Sequence, residues 1–332
     1  MRHRFIEQIH KIPPEDFEQL ALLIFQFQAK ENKLYKKYLS LIGVKPSSVG
    51  SLLEIPFLPI SFFKTHQIKT GSCDHTSGQQ TVVFTSSGTT GRTTSQHFVK
   101  DLDFYEKNTR LGFESVYGPV KDYCILALLP SYLERTGSSL IYMTDHFIRL
   151  SKYSQSGYFL YDHSRLAKVL TDCKKNKIPT LLIGVSYALL DFAEKYSLDL
   201  EELILMETGG MKGRKKEITR HDLHEQLKKA FNLPAIHSEY GMTELLSQAY
   251  AQEKGIFFPS ATMRVLTREI TDPFNILKSN NTGALNIIDL ANLDSCAFIA
   301  SDDLGRVYND GSFEVLGRLD HSDIRGCNLM VQ

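Results

Sequence analysis

The sequence predicts an α/β protein in two parts, a parallel sheet flanked by helices followed by a smaller β-rich part. Three observations predict it. Continuous apolar runs that stop at turn residues, Asp122–Pro130, Pro179–Val185 and Glu202–Thr208, read as strands buried on both faces. Segments with apolar residues at helical spacing, His163–Asn176, Val185–Tyr196 and Thr219–Phe231, alternate with them, which is the pattern of strand–helix–strand crossovers. From about residue 262 the character changes to short strands and turns: Met263–Leu266, Gly283–Leu290, Cys296–Ala300, Gly305–Tyr308 and Phe313–Leu316. That succession reads as a β-rich subdomain, a distorted barrel.

In chain order, residues 15–41 read as a packed pair of amphipathic helices: apolar positions from Phe17 to Phe27 recur at helical spacing after Pro13-Pro14 and an acidic first turn. Ile55–Lys64 carries two prolines and reads as an extended, tightly packed linker. Thr81–Phe84 is β-branched and aromatic, a short strand. Leu102–Gly112 reads as a helix, Leu133–Met143 as a turn entering a helix, and Ala235–Glu239 as a strand. The boundaries drawn are 1–65 for a helical segment packed on the core, 66–261 for the α/β core, 262–316 for the β-rich part, and 317–332 for a hinge-like tail.

Composition narrows the function. The 332 residues suffice for two or three structural units, and 42% hydrophobic with 23% charged residues is ordinary for a globular chain. Lys and Arg number 38, as do Asp and Glu, so no electrostatic footprint for nucleic acid is expected. The five cysteines are scattered without a Cys-x-x-Cys pair, which argues against a zinc site and suits a reducing compartment. No apolar leader or membrane span is expected, and a cytoplasmic enzyme is.

The stretch after Phe84 carries the first chemical signal. Thr85, Ser86, Ser87, Gly88, Thr89, Thr90, Gly91 and Arg92 follow a strand directly. Glycines at 88 and 91 let the backbone turn and come close to a ligand, successive N–H groups in such a turn cradle anions, and Arg92 adds charge. The spacing differs from the common phosphate loop, and a solvated Ser/Thr/Gly surface loop is the plain alternative. Three further places carry chemistry. Gly209 and Gly210 end the strand Glu202–Thr208, where ligands of α/β folds bind, although strand-to-helix turns also favour glycine. In His237–Glu244, Tyr240 offers a ring for a base, Gly241 breaks the strand, Thr243 offers a hydroxyl to a phosphate, and Glu244 offers a carboxylate to Mg²⁺; a capped helix start is the alternative. Asp302-Asp303 before Leu304-Gly305 offers carboxylates to ribose hydroxyls, or simply a turn.

Thr-Ser-Ser-Gly-Thr-Thr-Gly, Tyr-Gly-Met-Thr-Glu, Asp-Asp-Leu-Gly and Gly317-Arg318-Leu319-Asp320, in this order from about Tyr35 to Cys327, resemble the motifs of adenylate-forming enzymes. The chain most resembles LuxE-type acyl-protein synthetases, the long-chain fatty acid–protein ligases of bacterial luminescence, and then phenylacetate–CoA ligases. The resemblance implies the N-terminal core of that superfamily. It implies ATP and Mg²⁺ as cofactors, with the loop 85–92 on phosphates, Gly209 and Gly210 by adenine, Tyr240 and Gly241 on the base and Thr243 on the α-phosphate. It further implies Glu244 on the metal, Asp303 (Asp302 less well) and Arg318 at the ribose, and Asp320 as a hinge. It implies activation of a fatty acid to acyl-AMP and transfer to a thiol, with Cys327 as acceptor. Other expected acceptors are a partner protein such as a reductase or carrier, or coenzyme A. The usual C-terminal domain with its lysine is expected to be lacking, since no Lys follows Lys278. That feature leaves a non-catalytic nucleotide-binding subunit as the reading from another class.

Overall fold

The computed structural model describes residues 1–71, 81–86, 94–130, 137–209 and 218–319. Three helices begin the chain: α1 (Arg2–Ile9), α2 (Phe17–Glu31) and α3 (Lys33–Leu41). The buried residues of α2, Phe17, Leu20, Ala21, Ile24, Phe25, Gln28 and Ala29, fall three and four apart and form one face. Asn32 separates the pair: its backbone is extended, and its Oδ1 accepts from Tyr35 N at 2.9 Å to cap α3. The proline-rich linker contributes β1 (Leu58–Pro59), but Phe62–Thr65 forms one helical turn, α4, where an extended chain was expected. Pro59 lies before that turn and not inside it, so it removes no helical hydrogen bond.

A hairpin of β2 (Val82–Thr85) and β3 (Gln96–Val99) stands apart from the main sheet. Then strands and helices alternate as expected: α5 (Leu102–Tyr117), β4 (Cys124–Leu128), α6 (Ser139–Leu150), β5 (Gly157–Tyr158), α7 (His163–Lys175), β6 (Thr180–Val185), α8 (Ser186–Ala193), β7 (Ile204–Thr208), α9 (Arg220–Phe231) and β8 (His237–Tyr240). Four of these five helices begin at a capping side chain. Asp101, Ser138, Asp162 and Thr219 cap α5, α6, α7 and α9 through their side chains. Gly118, at φ +79°, ends α5 five residues beyond the expected Gly112. Every residue of β4 and β6 is buried, the property that made them readable.

The rest is antiparallel: β9 (Ala249–Ala251), β10 (Ile256–Pro259), β11 (Met263–Arg268), β12 (Thr282–Asp289), β13 (Phe298–Val307) and β14 (Phe313–Arg318). Among the described residues, one sheet runs in the order β11-β12-β13-β14-β10-β9-β8-β7-β6-β4-β5, with β1 added in parallel to β13. Pairing is parallel from β5 to β8 and antiparallel from β8 to β11. The two strands expected at Cys296–Ala300 and Gly305–Tyr308 are one, β13, and Cys296 precedes it. The Asp-Asp-Leu-Gly turn signal is absorbed as a register shift between Leu304 and Gly305, a bulge that bends the strand without ending it. Gly317 and Arg318 of the expected tail still belong to β14.

Candidate active site

A cavity of about 400 Å³ opens where the parallel strands end. Its floor begins at β2. Thr85 N donates to Gly137 O at 2.8 Å, Ser86 N to Ser95 O at 3.1 Å, and Ser95 N to Ser86 Oγ at 2.9 Å. The two ends of the hydroxyl-rich loop are thereby closed against each other. Gly137, at φ +83°, makes this possible: a Cβ there would stand 2.9 Å from Val83 O and 3.1 Å from Thr85 Oγ1. Thr85, Ser86 and Ser95 line the cavity. Ser87, Gly88, Thr89, Thr90, Gly91 and Arg92 lie outside the described residues, as do Gly210, Asp320 and Cys327.

β7 and β8 supply the next wall, with Thr208, Gly209, Glu239 and Gly241. Gly209 has φ +66°, and its carbonyl accepts from Ser186 Oγ at 2.8 Å. Thr243 and Glu244 follow on a segment, 242–248, that is almost wholly tied down from behind. His97 Nδ1 meets Thr243 O at 2.8 Å and its Nε2 meets Ser295 Oγ at 3.0 Å. A carbonyl only accepts, so Nδ1 carries the proton and Ser295 donates to Nε2. Asn292 Nδ2 donates to Glu244 O at 2.8 Å, and Asn108 Nδ2 to Leu246 O at 2.8 Å. The buried Asp289 accepts from Leu246 N, Ser247 N, Ser247 Oγ and Ala291 N. Burial pushes the Asp289 pKa up, and these four donors pull it back.

Glu244 is 6% exposed and lines the cavity beside Thr243. Burial raises its pKa, while Ser95, Arg318 and Lys64 act in the opposite direction. Burial likewise pushes Glu239 up to about 7; Thr208 Oγ1, donating at 2.5 Å, opposes this, and Glu207 adds to it. Glu207 itself is held low against its burial by His224 and Arg220, the latter 3.4 Å away.

The expected site residues Thr85, Ser86, Gly209, Gly241, Thr243, Glu244 and Arg318 are brought together around one cavity. Tyr240 and Asp303 stand behind its lining, joined to each other by Tyr240 OH donating to Asp303 Oδ2 at 2.8 Å. Tyr240 packs edge-on against Phe313, and Arg318 reaches Asp303 at 3.9 Å. Asp302, one residue earlier and on the other face of β13, lines the cavity instead. Ser95 closes the hydroxyl-rich stretch that the sequence marked, whereas Lys64, Glu239, Gln248 and the anchors His97, Asp289 and Asn292 were not singled out by the sequence. Lys64 had a signal, since it closes the proline-rich segment; the anchors had none.

Among the described residues no cluster of three or more His, Cys, Asp or Glu side chains could hold a metal ion alone. The carboxylate of Glu244, beside Thr243 in the lining, suits Mg²⁺, which keeps waters and shares phosphate oxygens. No described helix is long and apolar enough to cross a membrane.

No curated protein matches the chain in sequence. Many solved structures share its fold, among them the following three. An ATP-bound RpMatB–BxBclM chimera superposes with a TM-score of 0.55 at 15% identity, over 71% of this chain and 47% of that one. ATP-bound MatB from Rhodopseudomonas palustris gives 0.51 at 14% identity, over 71% and 47%. The long-chain-fatty-acid-CoA ligase FadD1 from Archaeoglobus fulgidus gives 0.52 at 15% identity, over 71% and 51%. The match thus spans about half the length of these neighbours, in the N-terminal core of the adenylate-forming fold. Residues 15–332 match the family of acyl-protein synthetases, LuxE, and with the site's geometry this settles the lineage: the chain belongs to the LuxE acyl-protein synthetase family.

Proposed function

We propose that this chain is an ATP-dependent acid–thiol ligase that converts a carboxylic acid to its acyl adenylate and then passes the acyl group to a thiol. One observation carries the reading. Thr243 and Glu244, on a segment fixed from behind, face Thr85 and Ser86 at the base of the hydroxyl-rich loop across a single cavity. In the first step a carboxylate oxygen attacks the α-phosphorus of ATP, the bond to the bridging oxygen breaks, and pyrophosphate leaves. Thr243 donates to the α-phosphate, and Lys64 and Arg318 supply positive charge where negative charge gathers. Mg²⁺, held by Glu244 and shared with phosphate oxygens, would neutralise the charge on the leaving group. Gly209 and Gly210 give the adenine ring room. Asp302 and Arg318 serve the ribose, with Asp303 and Tyr240 supporting them from behind. Fixing these groups in advance is what lowers the barrier.

In the second step a thiolate attacks the acyl carbon and AMP leaves. Cys327 is the proposed acceptor within the chain, with a partner or carrier thiol as the alternative destination. The described cysteines Cys124, Cys173 and Cys296 are buried, and burial raises the Cys296 thiol to about 12. Burial keeps all three from an external acyl adenylate, and free buried thiols suit a reducing compartment such as the cytoplasm.

The test is ATP–pyrophosphate exchange on the whole chain over a panel of carboxylic acids. An acid that drives exchange in the parent and fails in Glu244→Gln is the expected result. Cys327→Ser should keep exchange and lose an acyl–protein band sensitive to hydroxylamine. Absence of exchange with every acid, together with no ATP binding, overturns the reading.

A further inference from the structure

Asp302 reaches the cavity from a stretch of β13 that is irregular. Across the β12–β13 pair Ala284 faces Leu304 and Asn286 faces Ala300, so the single residue Leu285 stands opposite three, Ser301, Asp302 and Asp303. A bulge of this kind bends the strand and interrupts the ladder of backbone hydrogen bonds. Carbonyls that lose their ladder partner inside a sheet need another donor.

Arg268, the last residue of β11, supplies it. The residue is 7% exposed. Its Nη1 donates to Leu285 O at 2.8 Å and to Asn286 Oδ1 at 2.8 Å, and its Nη2 donates to Ser301 O at 2.7 Å. One planar fork therefore joins the two sides of the bulge. Ser301 completes the arrangement: its hydroxyl donates to Leu285 O at 2.9 Å and accepts from Asp303 N at 3.2 Å. On the opposite edge of β13, Leu319 N donates to Asp302 O at 2.7 Å. All three Arg268 bonds go to neutral oxygens. Burial pulls its pKa down, and Asp302 and Tyr38 act in the opposite direction. A guanidinium at such depth with no carboxylate bonded to it is costly, and an apolar side chain would fill the same space more cheaply if packing were its only task. Arg268 lies outside the cavity lining, so it acts through the strand it holds.

We propose that Arg268 is the positioning residue for the ribose of the nucleotide: by bonding the Leu285 and Ser301 carbonyls it fixes the bulge that turns Asp302 into the cavity and Asp303 toward Tyr240 and Arg318. The inference rests on the adenylation reading and on its assignment of Asp302 to the ribose. The two aspartates are adjacent, and a slip of one residue in the bulge would exchange their faces. A lysine in this place would keep the charge but not the fork, because its ammonium is a compact point donor.

The experiment measures binding of ATP and of 2′,3′-dideoxy-ATP to the whole chain by calorimetry, with a melting curve for each variant. The parent is expected to bind ATP at least about tenfold tighter than the dideoxy nucleotide, since a carboxylate loses its hydroxyl partners in the second. Arg268→Met should cut that preference to below about threefold by weakening ATP, with the dideoxy affinity kept within about twofold. Arg268→Lys should melt close to the parent and still lose most of the preference; it carries the test where the Met variant does not fold. Equal weakening of both nucleotides would reveal a merely structural role and overturn the proposal. So would a preference kept in full in either variant. A parent without any preference would overturn the ribose assignment and the inference with it, while leaving ATP binding standing. A parent that binds neither nucleotide would overturn the adenylation reading itself.

Discussion

In the parallel half of the sheet, β4 to β8, Thr208 and Glu239 line the cavity at the ends of β7 and β8. Glu239 has one hydrogen bond from Thr208 and a pKa pushed up to about 7, and the buried Gln248 Oε1, just before β9, has no partner among the described residues. In the antiparallel half, β9 to β14, Asp289 and the Asn292 that follows β12 instead hold backbone. Asp289 accepts four hydrogen bonds, and Asn292 holds the Glu244 carbonyl. Both halves line the cavity, with Thr208 and Glu239 from one and Asp302 and Arg318 from the other, while Asp289 and Asn292 hold the backbone of the segment that carries Glu244. A carboxylate's burial alone does not distinguish the two roles, since Asp289 and Glu239 are both buried; the count of donors pointed at each does.

The largest way to break this division is at the anchor. Asp289→Ala would orphan Leu246 N, Ser247 N and Ala291 N at once, and is expected to lower stability by about 3–5 kcal/mol and abolish adenylation with it. Denaturant unfolding checks the first effect, and Asp289→Asn, which keeps part of the bonding, should lose less. Next is the presented carboxylate. Glu244→Gln should cut acyl-AMP formation by about 10²–10³-fold with little change in melting temperature. Parallel loss of folding would mean that Glu244 is an anchor too.

His97 sharpens the comparison through pH. Burial pushes its pKa down to about 4, so the folded imidazole stays neutral while the unfolded chain protonates near its ordinary value of 6.5. Between those values the unfolded state binds more protons, and stability falls as the pH drops through that window. His10 and His237, also lowered to about 4 by burial, add to the fall. His97→Gln should lose roughly 1–2 kcal/mol at neutral pH and flatten the acid side of the melting curve. An unchanged slope between pH 6.5 and 4 would assign the acid sensitivity to the other two. The smallest effect belongs to Arg318, whose side chain is 67% exposed and 3.9 Å from Asp303. Arg318→Ala should change stability by less than about 1 kcal/mol while raising the KM for ATP several-fold. Steady-state kinetics beside a melting curve separates the two.

The same contrast governs what the sequence could disclose. The strands of the parallel half are continuous apolar runs between amphipathic helices, and β4, β6 and β7 were readable for that reason. Tyr240-Gly-Met-Thr-Glu244 was readable as a string. The anchors were not: His97 lies 146 residues from Thr243, and a polar residue inside a strand has no period that marks it. Asp302 and Asp303 show the limit most plainly. They are adjacent and chemically alike, and the face each takes depends on the course of one bulged strand, which composition does not encode.

The N-terminal helices are stitched to the turn between β12 and β13. Arg2 Nε reaches Asp294 at 2.6 Å, Gln28 Nε2 donates to Asn292 O at 2.9 Å, and Asn32 Nδ2 donates to Ser295 O at 2.7 Å. These partners are 292, 264 and 263 positions apart in sequence. The same turn supplies Asn292 and Ser295 to the Glu244 segment and to His97. During synthesis the first helices must therefore wait, their buried amides unmatched, until residues near 295 leave the ribosome. The segment carrying Thr243 and Glu244 depends on the same turn, directly through Asn292 and by way of His97 through Ser295. Loop closure over such separations is slow, and exposed apolar surface in the interval invites aggregation. The anchoring of the site is thus tied to pairings 263 to 292 positions apart in sequence, the kind of contact that is slow to close.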